Sequence, residues 1–173
     1  MEKIEHIKIA FFKGNTHEYH HRFVRWWCKS IYSHAEIVLD DGQTWVSISP
    51  FLYSRVAARI RTSVDQNDWD FIEFSVTTDE LCSLKDFISE TTGDGYDWFG
   101  MLLSQVLPVI VKSKKRWYCS QWVFKALSYS GVIKLSSTKI HEAPDLHPGR
   151  LYSILLQAPE HPLEAAGEAL LKE

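Results

Sequence analysis

The sequence predicts an α+β domain in which an antiparallel sheet packs against helices, and two stretches carry that expectation. Residues 33–49 hold two alternating runs around Asp40-Asp41-Gly42-Gln43, and Asp-Gly between such runs is a strong short-range hairpin signal, with Asp41 and Gly42 expected as the two loop residues at positive φ. Residues 117–131 place apolar side chains at helical spacing and close on Gly131, the pattern of a buried helix. Composition agrees: 173 residues, 45% hydrophobic, 24% charged and 13% aromatic, fit one compact domain over the whole chain and exclude a disordered tail, a collagen-like fibre or a coiled coil. A chain of this length buries about 70% of the surface it exposes when unfolded, so its core needs no disulfide or metal staple.

The remaining elements follow in order. Residues 4–12 alternate and end at Lys13-Gly14-Asn15, a strand followed by a turn. His17, His20, His21, Val24 and Trp27 or Cys28 recur at three- and four-residue steps, which predicts a helix over 17–29. Strands are expected at 59–61 and, after the polar Asp65-Gln66-Asn67-Asp68 turn, at 69–76. Thr78-Asp79-Glu80-Leu81 opens a helix with a capping-type signature, and Gly93-Asp94-Gly95 stops it. Asp97 caps an apolar helix over 98–111 that Pro108 kinks or ends, and a short helix is expected over 164–173.

Charge and cysteine usage bound the function. With 19 Lys+Arg against 22 Asp+Glu the formal charge is −3, so no basic field exists to hold nucleic acid. The apolar segment 98–111 is shorter than the roughly 20 residues a membrane span requires. Three cysteines at irregular spacing, behind an N-terminus without a signal-peptide pattern, point to a reducing setting, cytoplasmic or within a virion. Cys28 and Cys82 read as packing residues. His17, His20 and His21 have metal-compatible spacing but lack the further ligands a zinc site needs, so they read as solvent-facing and no metal or other cofactor is expected. Residues 112–116 read as a solvated basic loop.

Hairpin pairing can be computed. If partners sum to 83, His34 faces Ser49, Ala35 faces Ile48, Glu36 faces Ser47 and Ile37 faces Val46. One face then carries Ala35, Ile37, Leu39, Val46 and Ile48, and the other His34, Glu36, Ser47 and Ser49, with Val38 and Trp45 nearer the turn. That polar face is either the solvated side of an antiparallel sheet or a site. Cys119 is either an inert buried thiol or a nucleophile. It heads the helix whose N-terminal N–H groups and dipole would stabilise a thiolate and a developing oxyanion, and an imidazole oriented by a third polar group would activate it.

Three stretches in order, Arg25-Trp26-Trp27-Cys28-Lys29-Ser30 leading to Tyr32-Ser33-His34-Ala35-Glu36-Ile37-Val38, then Gly95-Tyr96-Asp97-Trp98-Phe99-Gly100, then Trp117-Tyr118-Cys119-Ser120-Gln121-Trp122-Val123, resemble the circularly permuted NlpC-type papain-like cysteine hydrolases. The chain is most similar to the small phage and prophage members, and more distantly similar to YiiX-type amidases and the lecithin:retinol acyltransferase group, over about residues 4–155. The resemblance implies a permuted papain-like fold with Cys119 as nucleophile, His34 as general base, a thioester intermediate and an amide substrate of the peptidoglycan stem-peptide class. The family takes its third residue from the strand after the histidine strand, where the pairing puts Ser49 or Ser47. Glu36, two residues and about 7 Å along from His34, is the favoured orienter. Two other functions stay open at this level: a lipid acyltransferase or N-acyl amide hydrolase, for which segment 98–111 would line an acyl groove, and a non-catalytic virion or partner-binding protein on a degenerate hydrolase fold.

Overall fold

A computed structural model describes residues 3–14, 19–49, 54–97, 116–134 and 146–158. His17, the apolar segment from Trp98 with its Pro108, the basic residues 112–115 and the expected tail helix lie outside them. In chain order the elements are β1 (Ile4–Phe12), α1 (Tyr19–Cys28), β2 (His34–Val38), β3 (Thr44–Ile48), β4 (Val56–Ile60), β5 (Trp69–Thr77), α2 (Thr78–Thr91), β6 (Gly95–Tyr96), β7 (Arg116–Trp117), α3 (Cys119–Ser130) and α4 (Pro148–Leu156).

The α+β class holds. Five strands form one antiparallel sheet in the order β4-β3-β2-β1-β5. Alternation sorts its side chains into two layers. Ile7, Ile9 and Phe11 of β1, Ala35 and Ile37 of β2, and Val46 and Ile48 of β3 enter one large core with Leu81, Leu84, Phe87 and Ile88 of α2, Trp122, Val123, Ala126 and Leu127 of α3, and Leu151 and Leu155 of α4. The opposite face holds a smaller aromatic cluster of Ala10, Phe12, Val38, Trp45 and Trp69.

The hairpin has the expected register, Ile37 opposite Val46 and Val38 opposite Trp45. Its loop is wider than expected. Leu39 N donates to Thr44 O at 2.9 Å, which leaves residues 40–43 outside the ladder, and only Gly42 takes a left-handed φ, +67°. The Asp41 carboxylate accounts for the difference: it accepts from Gln43 N at 2.8 Å and Thr44 N at 2.7 Å, so the side chain closes the turn and Asp41 keeps a negative φ. Further corrections are local. The strand expected at 59–61 begins at Val56 and ends at Ile60. The cap of α2 is Thr77, in a reciprocal capping box with Glu80. Trp117 belongs to the parallel β6–β7 pair, so α3 starts only at Cys119. Helix α4 is not among the expected elements; its signature is His147-Pro148, an N-cap whose ring accepts from Arg150 N, followed by proline at the first turn.

Two connections aim the chain at the start of β2 and the start of α3. Helix α1 ends in a Schellman motif with Lys29 at φ +49°: Lys29 N donates to Trp26 O at 3.3 Å and Ser30 N to Arg25 O at 3.1 Å. Ser33 N then donates to Phe12 O at 3.0 Å and delivers His34 to the head of β2. At the other end Tyr96 N donates to Ser54 O and Asp97 N to Trp117 O, both at 2.9 Å, which fixes the short ladder entering Cys119. No helix among the described residues is long and apolar enough to cross a membrane.

Leu84 is fully buried between sheet and helices, whereas Cys82, on the same helix, is exposed. Leu84→Ala is expected to cost about 2–5 kcal/mol and Cys82→Ser less than about 0.5 kcal/mol in urea denaturation at unchanged m-value.

Candidate active site

The polar face of the hairpin is not solvated: His34, Glu36 and Ser47 are 7%, 0% and 5% exposed. Their buried polar atoms therefore need partners within the protein. Ser47 Oγ donates to Ala35 O at 3.2 Å and lies 2.9 Å from His34 Nε2. A hydroxyl has one proton; with that proton on the carbonyl, Ser47 accepts from the ring. Glu36 Oε1 lies 3.3 Å from the same Nε2, and a carboxylate can only accept. Nε2 therefore carries a hydrogen, and Nδ1 is the nitrogen left to take a proton.

Cys119 lies against that imidazole. It is 6% exposed at the first position of α3, close enough to His34 for its charge to act on the ring. Burial alone would lower the pKa of His34, but the charge and hydrogen bond of Cys119 and the carboxylate of Glu36 outweigh it and push the ring up to about 9. Burial would likewise raise Glu36; the hydrogen bond and charge of His34, with the cations Arg59 and Arg61, hold it at about 2. At neutral pH the group is poised as imidazolium beside an ionised carboxylate. Tyr118, the N-cap of α3, makes no side-chain capping bond, so among the described residues no side chain caps the first turn, where helix N–H groups favour an anion.

The structure thus gathers Cys119, His34, Glu36 and Ser47 at one place. Ser49, opposite His34 in the expected register, does not join them: it is half-buried, and among the described residues its side chain makes no hydrogen bond to the ring, while its carbonyl accepts from Ser54 N at 2.9 Å. Glu36 reaches the ring from two residues along its own strand because Nε2, not Nδ1, is turned toward it.

Two other expectations change, those for Cys82 and His21, while Cys28 is partly packed as expected. Cys82 is exposed, so it is not a packing residue. Cys28, the last residue of α1, is half-buried, and burial together with the charge of Cys119 pushes it up to about 11, which makes it a neighbour of the site that stays protonated. His21 is turned inward, with Nδ1 2.8 Å from Ser33 Oγ and its ring 4.6 Å from that of Phe12. Two kinds of residue were not anticipated. Arg59 and Arg61 both bond Glu36 Oε1, Arg61 Nη2 at 3.3 Å; their two-residue spacing across the end of β4, together with a carboxylate on the facing hairpin, was the available signal. Tyr118 Oη is buried without a hydrogen-bond partner among the described residues, and burial followed by the charge of Cys119 raises its pKa; nothing local in the sequence marks it. No group of three or more His, Cys, Asp or Glu that could hold a metal occurs among the described residues.

The sequence matches no family model and no curated protein.

The two shifts predict a two-sided stability profile. His34, raised when folded, contributes stability that is complete below about pH 6.5 and lost as pH rises through about 9; Glu36, lowered when folded, contributes stability that is complete above about 4.5 and lost as pH falls toward 2. Urea midpoints measured from pH 2 to 10 should fall at both ends in the wild type, and His34→Gln should flatten the alkaline decline.

Proposed function

We propose that the chain is a cysteine hydrolase of amide bonds on a permuted papain-like, NlpC-type fold. The observation that carries this reading is the contact between Cys119, at a helix N-terminus without a side-chain cap, and His34, whose Nε2–H is committed to Glu36 and Ser47. Nucleophile, base and orienter are the parts that thiol catalysis requires, and they come in the chain order of the permuted family.

The chemistry follows from these positions. In the resting pair Nδ1 of His34 already holds the proton of the Cys119 thiol, and the thiolate attacks the acyl carbon. Charge develops on the carbonyl oxygen, where first-turn N–H groups of α3 can receive it. The C–N bond breaks as His34 returns its proton to the departing amine, leaving a thioester on Cys119. Water, deprotonated by His34, then attacks the thioester; the acid departs and the thiol is restored. Glu36 stays ionised throughout and compensates the imidazolium.

A stem peptide of peptidoglycan is the substrate class that the family resemblance suggests. The Glu36 contact speaks against an inert member of the fold, because a third polar group fixes the tautomer that a base requires. Segment 98–111, on which the acyl-groove alternative rests, lies outside the described residues.

Peptidoglycan stem-peptide fragments and acyl amides, incubated with the full chain and followed by mass spectrometry, test the proposal. Wild type should release a free amine from at least one of them, Cys119→Ser should abolish release, and His34→Ala should slow it by about 10²–10⁴-fold. Equal turnover by wild type and Cys119→Ser would overturn the nucleophile assignment.

A further inference from the structure

Glu36 Oε1 serves more partners than orientation of a histidine requires. His34 Nε2 lies 3.3 Å from it, Arg61 Nη2 donates to it at 3.3 Å, and Arg59 Nη2 donates to it as well. Oε2 is buried with no hydrogen-bond partner among the described residues, so all of this traffic falls on the oxygen that faces the ring. The arginines are themselves withdrawn from water, their side chains 17% and 25% exposed. Arg61 is held further by two indole faces, its guanidinium carbon 4.9 Å from the Trp45 ring centroid and 5.3 Å from that of Trp69. Arginines needed only to cover a sheet face would keep their heads in solvent.

We propose that Arg59 and Arg61 are positioning residues, which hold Glu36 as a carboxylate with Oε1 on His34 Nε2 and thereby keep Nδ1 turned to Cys119. The proposal rests on the cysteine-hydrolase reading, in which Glu36 orients the base. Burial drives a carboxylate toward its protonated form, and a protonated Glu36 no longer offers Nε2–H an anionic acceptor. The imidazole is then free to turn or to move its proton to Nδ1, where it cannot accept from the thiol.

Among the described residues the surroundings leave this role to the two arginines. From β2 the titratable neighbour is His34, with Cys119 of α3 beyond it; β3 offers the neutral Ser47; β4 and the residue after it offer Arg59 and Arg61. On β1 the residues opposite Glu36 and His34 are Ala10 and Phe12, which carry no charge. The next cations along that chain are engaged elsewhere, Lys8 with Glu73 at 3.3 Å and Lys13 with Asp70 at 2.5 Å. From α1, His21 faces Ser33.

The test is the pH dependence of Cys119 alkylation by iodoacetamide, read by peptide mass mapping on the full chain. Wild type, Arg59→Met, Arg61→Met and Arg59→Lys are compared, with each methionine change repeated in a Glu36→Gln background. Loss of either guanidinium should move the acid limb of the profile upward by about one pH unit or more, since an adjacent arginine shifts a carboxylate by about 1–3 units. It should also slow the plateau by about 10-fold, the lower end of losses seen when second-layer partners are removed. Arg59→Lys, which keeps the charge, should restore the wild-type limb, and neither methionine change should add anything once Glu36 is Gln. Profiles that superimpose on wild type, or effects that persist undiminished in Glu36→Gln, would overturn the positioning role. If Arg59→Met does not fold, Arg61→Met, at the more exposed arginine, carries the same two outcomes. Wild-type Cys119 reacting no faster near neutral pH than the exposed Cys82 would instead overturn the cysteine-hydrolase reading itself.

Discussion

Nε2 of His34 lies 2.9 Å from Ser47 Oγ and 3.3 Å from Glu36 Oε1, and the other features of the site depend on the proton that these two acceptors hold there. A neutral imidazole has one donor and one acceptor, so fixing the donor toward the strand fixes the acceptor away from it. That acceptor is what a thiol at position 119 can use. Without the two strand partners the ring could present either nitrogen, and its contact with Cys119 would carry no direction of proton transfer.

Sheet geometry supplies this constraint. His34 and Glu36 are on one face because they are two residues apart on β2, and Ser47 joins them from β3 because the hairpin register is in phase with that alternation. Ala10 stands beside Glu36 on β1, where a larger side chain would compete for the space of the carboxylate. The same sheet presents its other face to α3, so one strand can serve both layers: Ala35 and Ile37 anchor the helix that starts with Cys119, while His34, at the strand end, meets that cysteine. Burying an ionised glutamate is the costly part of this arrangement, and the cations that offset it come from β4 and the residue after it, beyond the hairpin.

Much of this was legible in the chain because it is local. The hairpin register followed from alternation and the Asp-Gly turn, and the end of α3 from Gly131, whose φ of +83° suits a glycine. His34, Cys119 and Glu36 stood out because a helix N-terminus and a strand face are both sequence patterns. What escaped notice depends on contacts distant in sequence. Ser47 against Ser49 turned on which hydroxyl leans diagonally toward the ring, which the register alone leaves open. Arg59 and Arg61 lie 23 and 25 residues from the carboxylate they bond. Cys82 was misjudged by residue type against position, since Leu81, Leu84, Phe87 and Ile88 mark the buried stripe of α2 and Cys82 lies off it; the inward turn of His21 depends on which way α1 faces, and α1 carries aromatic and charged residues around much of its circumference.

The site works through the charge and tautomer of one ring, and ¹⁵N nuclear magnetic resonance of His34 as a function of pH reads both directly. The ring is expected to be protonated at Nε2, to remain imidazolium through neutral pH in the wild type and to lose its second proton at lower pH in Cys119→Ser. A ring that is neutral at pH 7 in both proteins, or one that carries its single proton on Nδ1, would contradict this.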